Sequence, residues 1–480
     1  MTGKPAGRLF ASGRLRRGIS EFLPFPLTMT GAFCAAAVLL VSLDRRESAP
    51  ALREVAASAI PASSATAFVG VVAASLMTVT SITFPVLLIA VQQTSSTLGA
   101  VVFDQYLRRR ANQAYAGYFV GATAFSFIVF GFGGSGSPPV LGAFAALVFT
   151  IGSLVALLLL IHSTVDQMRP ECVVNSIHEL ALRAHEDELL LLAGTRRERR
   201  SPPGAQGRDV PTRTGGYVVS IDAEALAAVA RAAGPEVEVV LPCRLGTYLV
   251  SGETVARIVG VAADDDGFDA GTLAAFALDD TRWVEMDPGY SIDQLENIAW
   301  TTGTSAQSPY TAGAAIHQLR DLVGRWATAE ERTWSSPPEQ PEPLPVVYTT
   351  GAVGRVISAL GTLLTASSQA RQSGTAALLI TSFAHALPRL GSERHRDQLL
   401  RSLDAALPSL TAQLASPVLM EALVELVDAL EAGGRSADGV QQVQAVLRAA
   451  TQHLVPDPST LQQVRVAGAS RPPGPPRDEG

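Results

Sequence analysis

Apolar residues crowd into the first third of the chain. Four uninterrupted apolar stretches run over residues 22–43, 67–91, 115–132 and 139–161. A helix rises about 1.5 Å per residue, so roughly 20 apolar residues cross the hydrocarbon core of a bilayer. None of the four stretches carries a charge, and a central Arg, Lys or Asp would cost about 2.5–3.5 kcal/mol on insertion. The pattern predicts a transmembrane region over 22–163 with four helical spans, preceded by a basic tail over 1–21. A cleaved signal peptide is the rival reading of the first stretch. Its apolar core is longer than the roughly 7–15 residues of such a signal.

Beyond residue 163 the pattern becomes that of a soluble protein. Residues 164–214 read as a helix followed by a linker rich in Arg, Pro and Gly, with the linker over 195–216. Residues 215–334 read as an α+β domain. Short apolar runs at 217–221, 237–241, 248–250 and 255–261 predict strands, and 223–233 predicts a helix. Residues 291–325 look helical at both ends with an irregular middle at 301–309. A proline-rich linker follows at 335–350. Over 351–455, apolar spacing predicts a bundle of about five amphipathic helices, the first marked by Val353, Val356, Ile357, Leu360 and Leu364. Residues 456–480, rich in Pro and Gly, read as a disordered tail. The expected fold is thus a four-helix transmembrane region, then a cytoplasmic α+β domain and a C-terminal helical bundle.

Charge sets the expected orientation. Lys4, Arg8, Arg14, Arg16 and Arg17 precede the first stretch, Arg108, Arg109 and Arg110 follow the second, and Arg169, Arg196, Arg197, Arg199 and Arg200 follow the fourth. The loop over 44–54 balances three arginines with three acids, and the loop over 133–138 has no charge. Cytoplasmic loops are the positive ones, so both termini are expected in the cytoplasm and the host is read as a plasma (inner) membrane. Residues 94–111 place Leu98, Val101, Val102, Tyr106 and Leu107 near helical spacing. They form either an interfacial amphipathic helix or an extension of the second span.

Composition changes the picture little. Of the 480 residues, 17% are charged and 47% hydrophobic, the net charge is −7, and the mean hydropathy is +0.23. There is no basic footprint for nucleic acid. Lys4 is the only lysine. Cys34, Cys172 and Cys243 are too few and too scattered for a disulfide framework or a Cys-based zinc site.

The second span is chemically unusual. Thr78, Thr80, Ser81 and Thr83 precede Pro85, and Gln92 and Gln93 close the stretch. Thr78, Ser81 and Pro85 share one helix side and are candidates to line a pore. Hydroxyls and small residues are also the ordinary glue between membrane helices, and Pro85 permits a kink, so packing is the favoured role.

Other candidates are weaker. The glycines over 131–136 lack the Gly-Lys-Ser/Thr of a phosphate loop. Asp264, Asp265, Asp266 and Asp269 do not match an EF-hand spacing and read as a solvated turn. His178 and His185 lie seven apart, whereas a zinc helix wants i, i+4. His162 reads as an interfacial residue. No nucleophile elbow, His-Glu-x-x-His or paired-carboxylate motif is present, so enzyme is the least favoured class, and no cofactor or metal is expected.

The segments 77–84, 92–96 and 107–110, then Asp287-Pro288-Gly289, 295–299 and 308–312, resemble the bacterial membrane proteins known as domain of unknown function 2254. The resemblance covers roughly residues 20–345. It implies the same layout and supplies no catalytic residues. Members tend toward an Ala-Leu-Ser-Pro-Gly-Ile-Asn-Asp-Pro run where this chain has Thr301 to Pro309. The expected function is a membrane scaffold or sensor that meets the lipid bilayer, cytoplasmic protein partners and further copies of itself, and not nucleic acid. An oligomeric channel or transporter lined by the second span is the alternative.

Overall fold

The computed structural model describes residues 23–46, 50–98, 109–133, 138–202, 204–262, 266–304, 308–335, 343–411 and 416–432. The basic tail, all of residues 99–108 (with Val101, Val102, Tyr106 and Leu107 of the expected amphipathic segment), the acids Asp264 and Asp265, and everything after residue 432 lie outside them. The chain divides into two compact units, Met1–Val173 and Val174–Gly480.

The first unit is helical: α1 (Pro24–Arg46), α2 (Pro50–Ala59), α3 (Ala65–Leu98), α4 (Arg110–Phe132) and α5 (Val140–Gln167). Four of these, α1, α3, α4 and α5, are long and apolar enough to cross a membrane. The 23 residues of α1 span about 34 Å. Pro85 lies inside α3, which continues helical on both sides of it. The short helix α2, absent from the sequence reading, fills most of the loop between the first two spans and packs on α5. Small residues let the spans approach closely: Gly121 faces the ring of Phe33, and Gly142 faces Val129. Phe33 also meets Tyr118 and Phe149 edge-on, with centroids 5.5 and 4.9 Å apart. On α5, Ile151, Leu154, Leu158 and Val165 stand exposed, the pattern of a surface solvated by lipid rather than water.

Polar groups tie the span ends. Asp44, near the end of α1, is buried and accepts the backbone N–H groups of Leu141 and Gly142 at the start of α5. Asn112 of α4 donates to Gln167 of α5 (3.1 Å), which donates to Ser163.

The second unit mixes helices and sheets. It opens on α6 (Pro170–Gly194), whose first residues belong to the first unit, and contains α7 (Ala223–Ala233), α8 (Asp269–Ala274), α9 (Pro288–Thr304), α10 (Pro309–Ser335), α11 (Ala352–Gln369), α12 (Ser373–Ala386), α13 (Glu393–Thr411) and α14 (Pro417–Ala432). The strands are β1 (Gly207–Pro211), β2 (Gly216–Ile221), β3 (Glu238–Val240), β4 (Tyr248–Leu249), β5 (Thr254–Val259), β6 (Phe276–Asp279) and β7 (Val346–Val347). They form one sheet ordered β1-β5-β3-β7 and a second ordered β4-β2-β6. In the first, all pairs are antiparallel except β3 with β7.

Two stretches read as linkers are structural. Residues 195–216 contain β1, and Arg196 bridges in parallel to Val347. The second linker, 335–350, contains β7. Pro- and Arg-rich composition conceals both, because a two- or five-residue strand needs only a neighbour's backbone donors and acceptors. The helices α9 and α10, grouped by sequence with the strands, pack against α11 and α12. The helices described after residue 351 are α11 to α14; the part of the expected bundle over 433–455 lies outside the described residues.

Candidate functional site

Each strand of the four-stranded sheet alternates its side chains between two faces. Val210, Ala256, Ile258, Val239 and Val346 enter the main core with Leu226 of α7. The opposite face carries a cross-strand row: Asp209 pairs with Arg257, Arg257 with Val240, and Val240 with Val347. A register shift between Val210 and Pro211 lets both Val255 and Ala256 enter the core, which is what a bulge does to strand alternation. Thr254 therefore joins Arg257 in lining a groove on the outer face.

The groove has a volume of about 550 Å³, within the range of small-molecule sites. Val240 and Val347 form its apolar floor beside Pro242 and the backbone of Leu241, whose side chain enters the main core, and its charged lining is Arg197, Arg199, Arg257 and Asp209. The strap carrying Arg197 and Arg199 is fixed at both ends. At one end Arg196 N–H donates to Val346 (2.8 Å) and Tyr348 N–H donates to Arg196 (3.1 Å). At the other, the buried carboxylate of Glu238 accepts the backbone N–H groups of Arg200 and Ser201 and the Ser201 hydroxyl. Burial works to raise the pKa of Glu238, but these donors together outweigh it and hold the acid below its ordinary value.

A second polar cluster is buried between α6, α10 and β7. Glu188 is 3% exposed and Glu330 is 2% exposed. Tyr348 donates to one oxygen of Glu188 (2.8 Å) and Thr350 to the other (3.1 Å). His185 stacks on Trp326 with centroids 4.5 Å apart; its Nδ1 is 3.5 Å from Glu188, within ionic range but without hydrogen-bond geometry. Glu330 Oε1 and Trp326 Nε1 also lack a hydrogen-bond partner among the described residues. Burial, and then the charge of Glu188, push the Glu330 carboxyl up to about 8. Glu330 is thus held in its protonated form at neutral pH.

A third node sits at the Asp287-Pro288-Gly289 turn that opens α9. The half-buried guanidinium of Arg282 reaches both Asp287 and Asp293, and Asp293 also takes Arg355 of α11 (2.7 Å). Asp287 accepts the backbone N–H of Tyr290 as well. The node fastens the second sheet's exit loop to two helices, which is a structural task.

The candidates singled out by sequence are scattered. Thr78, Ser81 and Pro85 all lie on the exposed side of α3, whereas Ala73 and Leu76 face the helical core. Thr78 returns its hydroxyl to the carbonyl of Ala74, and Thr80 lies 3.4 Å from Thr123 of α4. His178 pairs with Asp321 (2.9 Å) while His185 lies on Trp326, so the two histidines serve separate contacts. Asp269 pairs with Arg208 (2.7 Å). Sequence reasoning missed the groove and the Glu188–Glu330 pair. Two signals were available: three arginines within residues 196–199, and acids at apolar spacing on helices, yet neither says what lies opposite.

These features define a membrane protein with four candidate spans and a mixed helical and sheet region after them. The profile of the family described as Predicted membrane protein (DUF2254) matches residues 19–382, and the chain belongs to that family. No curated protein and no solved structure matches it.

Proposed function

We propose that the protein is a membrane-anchored sensor or scaffold whose second unit works by binding rather than catalysis. The observation that carries this reading is the groove: a folded unit outside the spans presents a cavity with a charged lining, part of it carried on a strap whose backbone is pinned. A preorganised backbone lowers the entropic cost of capturing a ligand. In this reading both termini, the α+β region and the C-terminal helical bundle are cytoplasmic, the host is a bacterial plasma membrane, and partners are cytoplasmic proteins or further copies of the chain. The arginines flanking the spans support that orientation.

Two measurements test it. A reporter active only outside the cytoplasm is expected to be bright when fused after Glu54 and dark after Arg110 or Arg200; a bright fusion after Arg200 would remove the cytoplasmic placement. Liposomes holding the purified protein are expected to retain ions and small solutes, and a protein-dependent leak would replace the sensor with a pore.

The second reading, an oligomeric channel or transporter lined by α3, draws on the exposure of Thr78, Ser81 and Pro85 on the outside of a single chain's helices. Such a pore would form only between several copies, each turning that side of α3 to a shared axis.

A further inference from the structure

The groove's chemistry narrows its ligand. Three arginines and one carboxylate, Asp209, are among the described lining residues, in a chain whose net charge is −7. Arg197 also acts on Glu330 and His395, so Arg199 and Arg257 are the two that a ligand would engage. Because Lys4 is the only lysine, arginine as a residue type carries little information here; the convergence of three on one cavity does. A monocarboxylate ligand would satisfy one guanidinium fork. A phosphate offers several oxygens and up to two charges, which suits several forks at once. Arg257 has only a loose hold on Asp209, 3.7 Å away with both side chains about half exposed, a pair of little energetic weight. A ligand oxygen can take that guanidinium without breaking a strong bond. Beneath, Val240 and Val347 offer an apolar floor.

We propose that the groove binds a phosphate-bearing ligand, with Arg199 and Arg257 holding the phosphate and the Val240–Val347 floor taking the ligand's apolar portion. The proposal rests on the binding-protein reading above and names its ligand class. The phosphate belongs either to a soluble metabolite or to a phospholipid headgroup. The strap over 196–201 is the device that makes the site. Glu238 and the Arg196 bridge hold the backbone on both sides of Arg197 and Arg199, so the backbone that carries these side chains is in place before a ligand arrives.

The test uses the full chain in phosphatidylcholine nanodiscs. Inorganic phosphate and AMP are titrated by calorimetry and by thermal unfolding at constant ionic strength. In a parallel arm, part of the phosphatidylcholine is replaced by phosphatidic acid. Saturable stabilisation is expected in at least one arm. Arg199→Gln and Arg257→Gln are each expected to weaken it about tenfold or more, the effect of losing a charge-assisted hydrogen bond. Asp209→Asn is expected to tighten binding, an outcome that misfolding cannot imitate. A response to AMP or phosphate assigns a soluble ligand, and one confined to phosphatidic acid assigns a headgroup. No saturable response in any arm, or a response unchanged in all three variants, overturns the proposal. Absent binding with tight liposomes removes the ligand class and leaves the sensor reading; binding in a protein that leaks solutes does the reverse.

Discussion

Asp44 caps a helix that begins 96 residues after it. Its two carboxylate oxygens accept the N–H groups of Leu141 (3.0 Å) and Gly142 (3.2 Å) in the first turn of α5. Pro139, at the cap position itself, gives no side-chain bond to that turn. The first turn of any helix leaves N–H groups without intrahelical partners, and a carboxylate there also meets the positive end of the helix dipole. Asp44 thereby fixes the end of the first span to the start of the fourth.

Replacing Asp44 by Ala is expected to destabilise the transmembrane unit by about 1–3 kcal/mol, the cost of buried donors left unsatisfied. Asp44→Asn keeps an acceptor and is expected to lose roughly half as much. Unfolding of the full chain in mixed micelles by increasing SDS reads both. Equal stability of wild type and Asp44→Ala would mean that water replaces the carboxylate.

Glu330 predicts a pH dependence with a definite sign. Its folded pKa, about 8, stands above its ordinary value of 4.5. Between these values the native chain holds a proton that the unfolded chain has released. Stability therefore falls as pH rises from about 4.5 to about 8, with a limiting slope of about 1.4 kcal/mol per pH unit, and this contribution is flat outside the window. Glu330→Gln is expected to remove that slope and to be more stable relative to wild type at pH 8 than at pH 5. Thermal unfolding of both proteins across that range measures it. Parallel pH profiles would show that Glu330 ionises normally in the folded chain.

Gly246 and Gly252 both have positive φ, +76° and +95°. A β-carbon on Gly246 would collide with the carboxylate of Asp287, whereas one on Gly252 meets nothing within 4 Å. Gly252→Ala is expected to cost the backbone penalty alone, about 1–2 kcal/mol. Gly246→Ala adds displacement of a carboxylate already held by Arg282 and Tyr290 and is expected to cost clearly more. Chemical denaturation of the two variants supplies the comparison, and equal losses would show that the Asp287 node yields freely.

Cysteine labelling separates the two readings of α3. In a Cys34→Ala, Cys172→Ala background, Thr78→Cys and Ser81→Cys are expected to resist a charged, membrane-impermeant thiol reagent because that side faces lipid in the sensor reading. Cys172 must be removed because it is exposed. Ala73→Cys, facing the helical core, is the silent control. Ile89 is unsuitable as one, since it is 55% exposed and stands 11 residues from Thr78, nearly the same helix side at 3.6 residues per turn. Rapid labelling at positions 78 and 81 alone would favour the pore.

The spans were legible in the sequence because the bilayer imposes one requirement on every residue of a span. About 20 consecutive apolar positions satisfy it, and no tertiary partner is needed to see them. The helix at Ala223–Ala233 and the strands β2, β3, β4 and β5 were legible for a similar reason, since apolar residues there recur with local periodicity. β1 and β7 were not, because Pro-rich segments become strands here only where β5 and β3 supply the matching backbone groups. Nor was the groove. The sequence contains Arg199, Glu238 and Arg257, but residues 39 and 58 positions beyond Arg199 come near it only when a strap is pinned across a sheet. Asp44 reads in sequence as one acid in a balanced loop, and Glu330 as one acid beyond the helical segment expected to end at 325, which the structure extends to Ser335. Burial against a helix terminus and against a second carboxylate gives them their roles. Chain periodicity determined the four candidate spans and four of the strands; long-range register and desolvation decided the other strands and where charge is concentrated, and so where this protein has chemistry to offer.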